Sequence, residues 1–156
     1  MIKLVRVDHR LVHGQVAFSW TKNLEADCIL VASDALMKDE LKMAAMKMAK
    51  PTGVKLVMKS LDDSITALNS GVTDKYKLFI LCESIADVYY LASKTDVIKS
   101  INLGGMKARE DRRQIAKAVF VSDDDVTKLK DLNAKGIELE VRLVPYDHKQ
   151  NAMDLI

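Results

Sequence analysis

Apolar runs rich in β-branched residues alternate with helical patterns along the whole chain, and this alternation is the strongest constraint on what it can fold into. The strand-like runs are Ile2–Asp8, Asp27–Ala32, Val54–Met58, Tyr76–Cys82, Ser100–Leu103, Ala118–Val121 and Glu138–Val144. Between them lie helical patterns at Gln15–Leu24, Ala35–Ala49, Leu61–Ser70, Ser84–Ser93 and Asp123–Lys135. Strand–helix–strand order predicts an α/β fold: an open, mostly parallel sheet of about seven strands with helices on both faces. Continuous apolar runs such as Leu78-Phe79-Ile80-Leu81 fit central strands covered on both sides. Ser122 followed by Asp123, Asp124 and Asp125 marks a helix start, and Lys135-Gly136 its end. Pro51 ends the second helix, Gly71 the third, and the Gly104-Gly105 pair the fifth strand. Only Met106–Lys117 resists assignment, with one longer strand over Gln114–Val121 as the alternative to Ala118–Val121.

The chain has 156 residues and no repeat, low-complexity segment or Gly/Ser/Pro linker, so the expectation is one domain over 1–156. A net charge of +2 is too mild to argue for nucleic acid, and 5% aromatic residues supply no stacking platform for bases. Cys28 and Cys82 fall in apolar runs and read as free buried thiols of a reducing compartment. No leader pattern opens the chain, and no apolar stretch approaches the ~20 residues of a membrane span. The expected location is the cytoplasm.

In a parallel sheet the ligand crevice lies at the carboxyl ends of the strands, near a topological switch point. The element order puts Asp8–Gly14, Ser33-Asp34, Glu83-Ser84 and Gly104-Gly105 at that edge. Among them Asp8-His9-Arg10-Leu11-Val12-His13-Gly14-Gln15 joins an imidazole, a guanidinium and a carboxylate in a strand-to-helix turn. Such a turn offers free backbone N–H groups and the positive end of a helix dipole, which suits phosphate. His13 is the leading candidate, as phosphoryl acceptor, general base or phosphate ligand. An ordinary imidazole pKa of about 6.5 leaves such a ring mostly neutral and nucleophilic near neutral pH. Arg10 is placed to fork onto phosphoryl oxygens, and Asp8 to orient His13 or Arg10 or simply to finish the strand. The amides of Leu11, Val12, Gly14 and Gln15 are candidate phosphate donors, with Ser33, Ser84, Gly104 and Gly105 as weaker ones.

His9 reads as a loop residue and His148 as a solvated one. With three histidines and no CxxC or HExxH spacing, no metal site is expected. Walker A and dinucleotide fingerprints are absent, and the helix methionines Met37, Met43, Met46 and Met48 read as core or filler. Lys107, Arg109, Arg112 and Arg113 form a basic cluster, either solvated surface or a dock for an acidic partner.

The segment Val5–Val16 with Trp20 behind it resembles the phosphorylation-site motif of IIB components of the mannose/sorbose family of the bacterial phosphoenolpyruvate-dependent sugar phosphotransferase system. Asn102-Leu103-Gly104-Gly105, Val119 through Gly136 and Val141–Pro145 also fit that pattern. By this resemblance His13 takes a phosphoryl group on Nδ1 from a phosphohistidine of a IIA partner and passes it to a sugar imported by membrane IIC and IID components. Asp8 and Arg10 match the family's active-loop carboxylate and arginine, and His9 stands where a second acid is common. The resemblance implies no metal or nucleotide cofactor at this step, peripheral attachment to the membrane transporter, and admits a homodimer. The alternative is a non-catalytic binding or regulatory module of the same fold that recognises a phosphorylated ligand or partner.

Overall fold

The computed structural model describes residues 1–156. Its strands are β1 (Ile2–Asp8), β2 (Cys28–Ala32), β3 (Lys55–Lys59), β4 (Leu78–Cys82), β5 (Ser100–Gly105), β6 (Arg113–Ala116), β7 (Val119–Val121), β8 (Glu138–Val141) and β9 (Gln150–Asn151). Its helices are α1 (Gly14–Leu24), α2 (Glu40–Ala49), α3 (Leu61–Ser70), α4 (Ile85–Ser93) and α5 (Asp123–Ala134). One sheet runs β3-β2-β4-β1-β5-β8-β9, parallel throughout except for β9. The expected α/β architecture is therefore the observed one.

Alternation of side chains along the central strands builds two cores. Val5, Val7, Leu30, Ile80 and Leu103 pack toward Leu68 of α3, Leu91 of α4 and Leu129 of α5. Leu4, Ile29, Val31, Phe79 and Leu81 pack toward Ala17 and Trp20 of α1 and Met46 of α2. Serines at the starts of α3, α4 and α5 accept from the amide three residues on, and Ser122 and Asp125 close a reciprocal capping box. No helix is long and apolar enough to cross a membrane.

Several boundaries differ from expectation. Ala35–Ala49 is broken at Asp39, whose carboxylate caps α2 through the Lys42 amide after a short 3₁₀ turn at Leu36–Lys38. Val119–Val121 does not join the main sheet, nor does one strand span Gln114–Val121. A turn at Lys117-Ala118 folds β6 and β7 into a separate antiparallel hairpin. The seventh strand of the sheet is instead β9, which pairs with Glu140 and Val141 of β8. β8 stops at Val141 rather than Val144, because the next residues fold back over Trp20, whose indole N–H donates to the Leu143 carbonyl at 3.0 Å. The Gly104-Gly105 pair does not stop β5 but forms its last two residues, for a reason that lies in β1.

Candidate functional site

The carboxyl end of β1 carries the site. Leu11 and Val12 are buried in the core under α1, so two apolar side chains root the turn that follows Asp8. Leu11 adopts a left-handed backbone (φ 57°), a strained state for a branched residue that costs roughly 1–2 kcal/mol. The His9 amide donates to the Gly105 carbonyl and the Leu11 amide to the Asp8 carbonyl, both at 3.0 Å. The turn thereby delivers His13 to the N-cap of α1 in an extended conformation, with no cap bond from its side chain. Asn, Asp or Ser there would turn inward to the helix amides. The imidazole turns to Asp8 instead.

Asp8 is 3% exposed, and its carboxylate ties the loop to the strand beneath it. Its Oδ1 accepts the Arg10 amide at 3.0 Å, and its Oδ2 accepts both Arg6 Nη2 at 3.1 Å and His13 Nε2 at 3.0 Å. Burial pushes the Asp8 carboxyl up, but the His13 hydrogen bond, the Arg10 amide and the Arg6 charge outweigh it and hold it below the usual range. An ionised Asp8 accepts, so the proton of a neutral His13 belongs on Nε2 and the lone pair on Nδ1. The His13 side chain is 14% exposed, close enough to solvent to meet a partner.

Beneath the loop is a buried network that sequence reasoning missed. Arg6 is 1% exposed in a central strand. Its Nη1 donates to Asn102 Oδ1 at 2.7 Å and to the Arg142 carbonyl at 3.0 Å. Asn102 donates onward to Glu140 Oε1 at 3.2 Å, which also accepts Arg142 Nη2 at 3.1 Å. The guanidiniums of Arg6 and Arg142 lie 5.3 and 5.0 Å from the centroid of the Trp20 ring. Buried Arg6 and half-buried Arg142 thus balance two buried carboxylates, while burial lowers the Arg6 pKa from its ordinary value against the pull of Asp8 and Glu140. A signal for this existed: Arg6 shares its face of β1 with Leu4, and a charge at an inward position needs partners. The glycine pair makes room for the network. A Cβ on Gly104 would lie 2.0 Å from Arg6 Cζ, and one on Gly105 3.3 Å from Asp8 Oδ1.

The remaining candidates are placed as follows. Arg10 is exposed at the loop and gives Asp8 its amide. The Leu11 amide is engaged by Asp8, whereas those of Val12, Gly14 and Gln15, the last two in the first turn of α1, have no acceptor in the protein. Ser33 is fully buried, donating to Glu83 Oε1 at 2.7 Å and accepting from the Leu36 amide. Ser84 caps α4 by accepting the Asp87 amide at 3.1 Å. Both hydroxyls are therefore tied into the scaffold.

Asp87, near Glu83, titrates oppositely to Asp8. Burial, then the charges of Glu83 and Asp34, push it up to about 6. A carboxyl raised in the folded state binds its proton more tightly there than when unfolded, so its contribution to stability falls as pH rises from the ordinary carboxylate value toward 6. Asp8 is depressed, so its contribution is present above the ordinary value and lost as pH falls below it. Asp87→Asn is expected to raise the melting temperature at pH 7 and leave it nearly unchanged at pH 4, which thermal unfolding at the two pH values will read.

The chain is similar to known proteins along nearly its whole length. Residues 2–156 match the family model described as PTS system sorbose subfamily IIB component. The PTS system mannose-specific EIIAB component of Escherichia coli (strain K12) is 37% identical over 156 residues, 100% of this chain and 48% of the relative. The chain thus spans about half the length of that relative. The PTS system sorbose-specific EIIB component of Lacticaseibacillus casei is 33% identical over 94% of this chain and 90% of its own length. The crystal structure of the IIBSor domain of the sorbose permease from Klebsiella pneumoniae superposes with a TM-score of 0.94 at 30% identity, covering 99% of this chain and 94% of that one. Motif, sheet order and buried site therefore converge with the family match: the chain belongs to the sorbose-subfamily IIB components of the sugar phosphotransferase system.

Proposed function

We propose that residues 1–156 act as one phosphocarrier domain in sugar uptake, with His13 as the group that is loaded and discharged. The observation that carries this reading is the 3.0 Å bond between His13 Nε2 and buried, ionised Asp8, which leaves the Nδ1 lone pair for phosphorus. The donor is a phosphohistidine on a IIA partner. Its N–P bond breaks as its imidazole leaves with its own ring proton, and the new bond forms from His13 Nδ1. The Nε2 proton stays on His13, where Asp8 neutralises the phosphoimidazolium that results. In phosphoryl transfer, positioning and charge stabilisation dominate. Arg10 and the amides of Val12, Gly14 and Gln15 are the groups assigned to the phosphoryl oxygens. The α1 dipole adds only about 0.3–1 kcal/mol at a partly exposed site, so Arg10 outweighs it. In the second half, a hydroxyl oxygen of a sugar held by membrane IIC and IID components attacks phosphorus, its proton is released to solvent, and the Nδ1–P bond breaks to leave His13 neutral with its Nε2 proton. The carrier itself works at the cytoplasmic face of that transporter.

The test is incubation with a phosphorylated IIA protein of the same transport system. An acid-labile, base-stable phosphate on this chain is the expected product, and its absence with a competent donor would return the domain to a binding role. Asp8→Asn is expected to slow loading by roughly 10³–10⁴-fold, as when an orienting carboxylate is neutralised and the imidazole takes the other tautomer. Rapid-quench loading rates together with ¹⁵N NMR of the His13 ring will show whether tautomer and rate change together.

A further inference from the structure

A cleft of about 290 Å³ lies at the β3 edge of the sheet, on the face opposite α1. Its layout follows from strand alternation. Lys55, Val57 and Lys59 share one side of β3, and Cys28 and Leu30 of β2 and Leu78 of β4 continue that surface inward. β3 is the last strand, and α3 gives this surface only Ala67, so the segment after α3 supplies the other wall with Val72, Lys75 and Tyr76. The floor is apolar and the polar groups stand at the rim. Two of the rim cations converge. Lys55 Nζ donates to the Tyr76 hydroxyl at 3.0 Å, and the ammonium groups of Lys55 and Lys75 lie 5.1 and 5.2 Å from the centroid of the same ring. The Lys55 hydrogen bond, with the charges of Lys55 and Lys75, holds the Tyr76 hydroxyl below its ordinary pKa, the mark of a positive local potential. Lys55, Lys59 and Lys75 form no ion pair. The chain carries 22 acidic residues and directs none of them into this cleft. Asp27, just before β2, has its Oδ1 engaged by the Lys77 amide at 2.8 Å. The cations are therefore left for something outside the chain.

We propose that this cleft is a binding site for a small amphiphilic anion, a carboxylate on an apolar body, with the head at Lys55, Lys75 and the Tyr76 hydroxyl and the body along Val57, Leu30 and Leu78. Two ammonium groups and one hydroxyl match the two oxygens of a carboxylate. The Tyr76 hydroxyl accepts from Lys55, so its own proton is free to donate to that head. A bare anion would use the cations and leave the floor wet, whereas a neutral hydrocarbon would cover the floor and leave the lysines unpaired. Only a molecule with both parts gains from the whole surface. The volume, just under the roughly 300–1,000 Å³ of common ligand pockets, sets the body at a short chain and excludes a whole lipid. α1 and the His13 turn lie on the other face of the sheet, so an occupant leaves the phosphorylation loop open. The proposal therefore stands apart from the carrier reading.

Octanoate is the probe, with acetate as a head without the body and octan-1-ol as a body without the head. Titrations followed by ¹H–¹⁵N NMR read affinity and place together. Octanoate is expected to bind saturably, about 10-fold or more tighter than either control, with shifts centred on residues 28–30, 55–59 and 72–78. Lys55→Gln/Lys75→Gln is expected to weaken octanoate about 10-fold or more and to leave octan-1-ol unchanged. Both lysines are exposed, so the fold of this variant is not at stake, and an unchanged melting temperature will confirm it. Octan-1-ol binding as tightly as octanoate, or a double variant that binds octanoate like the wild type, overturns the anion site. Acetate or inorganic phosphate binding as tightly overturns the apolar body. Shifts centred elsewhere, or no saturation, overturn the site altogether. Sedimentation with phosphatidylglycerol vesicles that is lost in the double variant, without octanoate binding, would assign the surface to a membrane and also overturn the small ligand.

Discussion

His13→Ala is expected to reduce phosphate uptake from a phosphorylated IIA protein to background while leaving the protein folded. The chemistry gives no substitute acceptor within the loop. His9 has its amide on the Gly105 carbonyl and its Nδ1 buried without a partner, and His148 is exposed in the segment before β9. The structure also explains why the variant survives. The His13 side chain makes one hydrogen bond, to Asp8, and caps no helix amide. Asp8 keeps Arg6 and the Arg10 amide, so the loss is one charge-assisted bond, about 1.5–3 kcal/mol against a typical 5–15. Trp20, the only tryptophan, touches both arginines of the buried network, so unchanged fluorescence will report that the network is intact. Equal labelling of wild type and variant would place the acceptor elsewhere, and mapping the labelled peptide would show where.

What could be read from sequence, and what could not, divides along a physical line. The run Leu78–Leu81 announced a central strand because burial on both faces removes the need for polar residues, and the structure places it between β2 and β1. The loop from Asp8 to Gln15 was legible because its chemistry is local: carboxylate, guanidinium and imidazole fall within six residues. Arg6 was passed over as one polar residue in an apolar strand. Its partners are 96 and 136 residues away, and no local pattern encodes such distances. The same holds for β9, a two-residue strand whose existence depends on where the chain after β8 returns. Of the β6–β7 hairpin, the second strand was legible at Ala118–Val121 but the first was not, because Ile115, Ala116, Val119 and Phe120 also fit one longer strand until the turn at Lys117-Ala118 is seen. Gly104 and Gly105 read as a turn because glycine pairs commonly are. Here their missing side chains matter for what crosses β5, not for how β5 ends.

Gly104→Ala is accordingly expected to be the most destabilising single methyl that can be added near the site. Gly104 has no unusual backbone angle to protect, so the penalty comes entirely from the 2.0 Å approach of the new Cβ to Arg6 Cζ. That guanidinium has nowhere to go. It is held by Asn102, the Arg142 carbonyl and Asp8, with the Trp20 ring 5.3 Å away. Displacing it strips a buried cation from its carboxylate, a change that costs about 3–5 kcal/mol in comparable buried pairs and approaches the whole stability of a marginal domain. Gly105→Ala should be milder, because its Cβ would meet Asp8 Oδ1 at 3.3 Å and a shift of a few tenths of an ångström relieves it. The two therefore dissociate: Gly104→Ala lowers the denaturation midpoint steeply, whereas Gly105→Ala mainly disturbs the carboxylate that orients His13 and slows loading. Urea unfolding with Trp20 emission as the probe gives the first quantity and loading kinetics the second. A double-mutant cycle then assigns the cause. If Gly104→Ala acts through Arg6, its cost measured in an Arg6→Met background should shrink to a small fraction. The coupling is then nearly the whole cost of about 3–5 kcal/mol, at or above the top of the range for residues in direct contact, about 0.5–3 kcal/mol. Additive costs would instead mean that the glycine serves β5 itself, and that Arg6 lies over it without depending on it.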